Sequence, residues 1–160
     1  MISKPVSKPN RVVIDANLLM SRRYATFVLT LAKEKEFEIV LTDKILEESR
    51  LAHVKYLKKI IYNNRSENIK YQNLSDTDFK KLVEQKTKEA NAFYRNIKDP
   101  VRSFGKNILP ESEYKHLEDP AMSSDPGDVH VVAAAVASKA SYIATHNGQT
   151  FSGITDCEWY

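Results

Sequence analysis

The chain has 160 residues, 42% of them hydrophobic and 28% charged, enough for one domain with a real core and too ordinary for a disordered or fibrous protein. A formal charge of +3 admits a nucleic-acid partner without demanding one. The single cysteine, Cys157, excludes an intramolecular disulfide framework and a cysteine-rich zinc site. The opening MISKPVSKPN has no apolar core of signal-peptide length, and no apolar run is long enough to span a bilayer. A soluble, cytoplasmic protein without membrane attachment is therefore expected.

Residues 1–10, polar and with two prolines, read as a flexible leader to a single domain over 11–160. Arg11-Val12-Val13-Ile14-Asp15 reads as a short buried strand ending in an acid. Residues 22–35 predict a helix with Tyr24, Phe27, Val28 and Leu31 at turn spacing, and 37–41 a second strand. Thr42 or Asp43 can cap the next helix, 43–61, with Ile45, Ser49, Ala52, Tyr56 and Ile60 along one side. After an ambiguous polar stretch, 62–73, a long helix starts at Ser75, where Ser75 and Asp78 offer a variant of the capping box. Phe79, Leu82, Val83, Ala90, Phe93 and Ile97 give it an apolar stripe. Residues 99–124, with Pro100, Gly105, Pro110 and Pro120, predict short helices and loop. Asp125-Pro126-Gly127-Asp128 opens a valine- and alanine-rich helix to about Lys139. A strand over 141–145 and the turn His146-Asn147-Gly148 follow. The alternation predicts an α/β domain whose central, mostly parallel sheet is flanked by helices.

In an open parallel sheet, sites form beyond the carboxyl ends of the strands. Asp15 ends the first strand, Glu47 and Glu48 lie early in the helix after the second, and Asp125 and Asp128 open the last helix. Asn147 follows the last strand. The Asp125–Asp128 tetrapeptide is also a well-formed helix start, with a capping acid, a proline at the first position and an acid near the positive end of the dipole. Helix-start chemistry does not explain why all the acids map to one edge. Gathered carboxylates raise each other's pKa unless a cation sits among them. Oxygen-only ligands suit Mg²⁺ or Mn²⁺, which can activate water, orient a phosphodiester and stabilise the leaving oxygen.

Three blocks carry a resemblance. Val12-Val13-Ile14-Asp15-Ala16-Asn17-Leu18-Leu19-Met20-Ser21 is a hydrophobic strand followed by D-x-N-x-hydrophobic-x-S. Leu41 to Glu48 places an acid two residues beyond Leu46, which selects Glu48 over Glu47. Asp125-Pro126-Gly127-Asp128-Val129-His130-Val131-Val132-Ala133-Ala134-Ala135 is followed by Tyr142-Ile143-Ala144-Thr145-His146-Asn147 and Phe151. In this order they resemble the PIN-domain ribonucleases, closest to the VapC-like toxin branch. The resemblance covers both ends of the chain but not residues 62–120. It implies a PIN-like three-layer fold and Mg²⁺- or Mn²⁺-dependent cleavage of an RNA substrate. It also implies a homodimer and a cognate antitoxin partner. Asp15, Glu48 and Asp128 become the metal ligands and Asp125 a further catalytic acid. Asn17, Ser21, Thr145 and Asn147 become the surrounding polar groups. Asn147 stands where many relatives have a fourth aspartate; a neutral amide there adds no charge, which bears on a second metal.

His53, His116, His130 and His146 are scattered without ligand spacing, and His146, nearest the acids, is expected to line the edge of the site. Arg22, Arg23, Lys55, Lys58 and Lys59 are candidates for contact with an RNA backbone. A haloacid-dehalogenase-type phosphatase wants a second aspartate where Asn17 stands. A receiver domain wants an acidic pair and a late lysine that are not in place, and four scattered glycines make no dinucleotide-binding loop. The remaining rival is a PIN-like module that no longer cleaves and serves as an RNA- or protein-binding scaffold.

Overall fold

Three apolar residues in succession, two of them valines, suit a strand covered on both faces. In the computed structural model, which describes residues 10–105 and 107–146, Val12, Val13 and Ile14 are buried in β1 (Asn10–Ile14). The helices α1 (Ala16–Leu19) and α2 (Arg22–Lys33) lead to β2 (Phe37–Thr42), whose Ile39, Val40 and Leu41 are equally buried. The long helix α3 (Asp43–Asn63) follows, then the single turn α4 (Ile69–Gln72) and the 30-residue helix α5 (Asp76–Gly105). A short strand, β3 (Asn107–Leu109), and the turn α6 (Glu111–Tyr114) precede three 3₁₀ turns at Lys115–Leu117, Pro120–Met122 and Pro126–Asp128. Helix α7 (Val129–Ser138) and β4 (Tyr142–Ala144) complete the described chain.

The sheet is parallel throughout, in the order β3-β2-β1-β4. Val13 lies opposite Val40 on one side and Ile143 on the other. Helix α7 packs against β1, β2 and β4, and α2 and α5 pack with each other and against β2. The predicted α/β layering is thus present. The chain runs outward from β1 to β2 and β3, then returns to the opposite side of β1 as β4. That reversal creates a switch point between β1 and β4, where a parallel sheet opens a crevice at its carboxyl edge.

Burial of side chains such as Ile14, Leu41 and Ile45, each fully enclosed, contributes about 1.5–3 kcal/mol apiece. Arg11 ties β1 to its surroundings, donating from Nε to Glu38 at 3.0 Å and from Nη1 to the Ser138 carbonyl at 2.7 Å. A second, small cluster of Ile61, Phe79 and Val83 holds the far ends of α3 and α5 together.

Some details depart from the sequence reading. Helix α5 runs on past Pro100 to Gly105, and the region read as short helices and loop also contributes β3. On α2 the buried residues are Ala25, Val28 and Ala32, while Tyr24 and Phe27 are exposed. On α3, Ile45, Leu46, Ser49, His53 and Ile61 are buried and Tyr56 is exposed. Residues 1–9 of the expected leader lie outside the described residues, and Asn10 already belongs to β1.

Candidate active site

Asp15 stands at the switch point, buried to 1% exposure, its backbone N–H extending the β1–β4 pairing to the Ala144 carbonyl at 2.9 Å. Two side chains hold its carboxylate. Thr145 Oγ1 donates to Oδ2 at 2.6 Å and Asn17 Nδ2 donates to the same oxygen at 3.1 Å. Both of these donors engage Oδ2 and neither engages Oδ1.

Glu48 is placed by the start of α3. Thr42 caps that helix, its fully buried hydroxyl accepting from Ile45 N at 3.0 Å. The neighbouring Ser49, also buried, donates to the Ile45 carbonyl at 2.7 Å and to the Ala16 carbonyl at 3.2 Å, locking α3 to α1. Glu48 then faces α7, with Oε2 3.1 Å from His130 Nε2. Glu47 turns the other way, where Arg50 Nε donates to it at 2.7 Å beside a groove of about 490 Å³. That groove, lined also by Asp43, Leu46, Asn91, Tyr94 and Arg95, lies apart from Asp15 and Asp128.

Asp125 caps the turn before α7, Oδ1 accepting from Gly127 N at 2.8 Å. Asp128 is half-buried at the start of α7. Its carboxyl is pushed up from 3.8 to about 6, first by burial, then by the charges of Asp15 and Asp125 and, more weakly, Glu48, with His130 opposing. The four predicted acids therefore share one electrostatic field.

His130 is a buried polar residue beside the acids that sequence reasoning passed over. Its side chain is wholly buried, with Nδ1 2.8 Å from the Gly127 carbonyl, which can only accept, so Nδ1 carries the hydrogen. Nε2 is within ion-pair distance of Glu48, yet its direction fails hydrogen-bond geometry. The signal was one polar residue in a helix otherwise apolar all round, Val129 to Ala135.

Ser21 is not joined to the acids; it occupies the N-cap position of α2 without a side-chain bond. Asn147 and Phe151 lie outside the described residues. Arg23, Lys55, Lys58 and Lys59 are exposed. No helix among the described residues is long and apolar enough to cross a membrane.

The family model described as PIN domain matches residues 11–149, most of the chain and all three blocks of acids. The chain belongs to the PIN-domain family. Neither curated proteins nor solved structures gave a significant match. PIN domains are generally nucleases, and typically metal-dependent ones.

The residues of this PIN domain fit a divalent cation by their chemistry. The donors are carboxylate oxygens, and Asp128 is raised to about 6 first by burial and then by neighbouring acids whose repulsion a cation would relieve. Among the described residues no three His, Cys, Asp or Glu side chains converge closely enough to hold one ion by themselves. Mg²⁺ does not need that, because it keeps several waters and takes one or two carboxylates plus substrate phosphate.

Proposed function

We propose that this chain is a metal-dependent endoribonuclease that hydrolyses RNA phosphodiester bonds, the toxin member of a VapC-like toxin–antitoxin pair. The observation that carries the reading is the raised Asp128 carboxyl, which burial and the charges of Asp15, Asp125 and Glu48 push up together. Asp15, Asp125 and Glu48 all repel charge on Asp128 at the carboxyl edge of a parallel sheet, and a cation there would offset that repulsion.

In this reading Asp15, Glu48 and Asp128 hold Mg²⁺ or Mn²⁺. The ion supplies charge neutralisation for the phosphodiester and acidity for an attacking water. The chain's own groups do the positioning. Thr145 and Asn17 fix the Asp15 carboxylate through Oδ2 and not through Oδ1. His130 faces Glu48, with its Nε2 3.1 Å from Oε2. Asp125, anchored to Gly127, adds negative potential at the mouth. The protein works in the cytoplasm as a homodimer, with an antitoxin as its silencing partner.

Analysis of product ends tests the chemistry. Cleavage fragments should carry a 5′ phosphate and a free 3′ hydroxyl, whereas 2′,3′-cyclic ends would mean attack by the ribose hydroxyl and overturn the metal-hydrolytic reading. The second reading, a PIN domain kept as a binding scaffold, is favoured by the lack of a preformed three-ligand ion site among the described residues. It predicts RNA binding that no divalent cation converts into cleavage.

A further inference from the structure

The ribonuclease reading leaves the outer side of α2 unexplained. Tyr24 and Phe27 stand three residues apart there, 43% and 60% exposed, although large aromatic side chains dominate cores when packing allows. The Tyr24 ring meets His146 nearly edge to face, with centroids 4.6 Å apart and planes inclined at 68°. His146 directly follows Thr145, whose hydroxyl is bonded to Asp15. The ring pair is thus anchored one residue from a group that touches the central carboxylate.

The setting of these rings points to the occupant. The exposed residues interleaved with them on α2 are Arg23, Thr26, Thr30 and Lys33, polar or basic without an acid among them. Aromatic rings interspersed with cations are the surface on which single-stranded nucleic acid stacks its bases, with the cations meeting phosphate.

Resting on the ribonuclease reading, we propose that the Tyr24 ring, held edge to face by His146 and flanked on the helix by Phe27, is a ledge on which an unpaired nucleobase beside the scissile phosphate stacks. A base in a continuous duplex has its faces covered by its neighbours and cannot use the ledge. The ledge therefore selects RNA whose base next to the cut is splayed out.

The test is equilibrium binding of a fluorescent single-stranded oligoribonucleotide to the Asp15→Asn protein, which keeps the strand intact, at one fixed salt concentration. Tyr24→Ala should weaken binding about tenfold, while Tyr24→Phe, which keeps the ring, should bind as the parent does. Abasic substitutions along the strand should identify one position that costs the parent a similar factor and Tyr24→Ala nothing further, the signature of a shared contact. Equal binding by Tyr24→Ala, loss in Tyr24→Phe as well, or no binding by the parent would each overturn the ledge. Melting curves check that the exposed substitutions leave the fold intact. Cleavage by the unsubstituted protein is read separately. Cleavage with no effect of Tyr24→Ala sinks the ledge alone, and ring-dependent binding without any cleavage sinks the nuclease reading alone.

Discussion

Asp15 receives two hydrogen bonds on one oxygen, and the stronger comes from Thr145 across the β1–β4 junction. Removing that donor leaves the acid in place but free to turn. Thr145→Val, close in shape, should lower affinity for Mn²⁺ about ten- to a hundredfold, measured by calorimetric titration. An unchanged affinity would mean that Asp15 does not ligate, or that Asn17 alone holds it. The candidate acids were legible because each follows a strand or opens a helix in a recognisable block. The pairing of His130 with Glu48 was not, since residues 48 and 130 meet only after α7 is laid across the sheet. The place of the Ser21 hydroxyl was not legible for a similar reason. The residue's position in the D-x-N-x-hydrophobic-x-S block says nothing of where its hydroxyl points, and no side-chain bond joins it to the acids.

The elements themselves were largely written in local pattern. Strands β1 and β2 hold short β-branched runs and β4 is a short apolar one, and Ser75 opens α5 as foreseen, accepting from Asp78 N at 3.1 Å and donating to its carboxylate at 2.7 Å. Strand β3 was not legible, because three residues between a helix and a proline carry too little period to be seen. Pro100 misled in the other direction. It removes one backbone donor, which tertiary packing of a 30-residue helix can outweigh. Faces were less legible than spans: Tyr24, Phe27 and Tyr56 are apolar enough to read as core yet face solvent. Thr42 is the element-scale residue most worth changing, since it closes β2 and caps α3, which carries Glu48. Thr42→Ala should cost about 1–2 kcal/mol in denaturant unfolding, and a loss near zero would show that the cap bond to Ile45 contributes nothing.

Across the whole molecule, the raised Asp128 carboxyl makes stability depend on pH. The Asp128 carboxyl is raised in the folded state, from 3.8 to about 6, so between those values the folded chain keeps a proton that the unfolded chain has lost. This group's contribution to stability therefore falls as the pH rises through that window, and above about 6 the folded chain carries the full cost. The carboxylates whose pKa is lowered, Asp76, Asp78 and Glu111, are fully exposed and oppose this only weakly. Mn²⁺ should accordingly raise the melting temperature more at neutral pH than at about pH 5. Equal shifts at both pH values would place the ion elsewhere. The central claim, that these carboxylates make a metal-dependent ribonuclease, is tested most directly by cleavage of a structured RNA pool with and without Mn²⁺, comparing the unsubstituted protein with Asp15→Asn. The substitution keeps shape and removes one negative charge. The account predicts cleavage that requires the metal and disappears in Asp15→Asn. Cleavage that survives the substitution would contradict it.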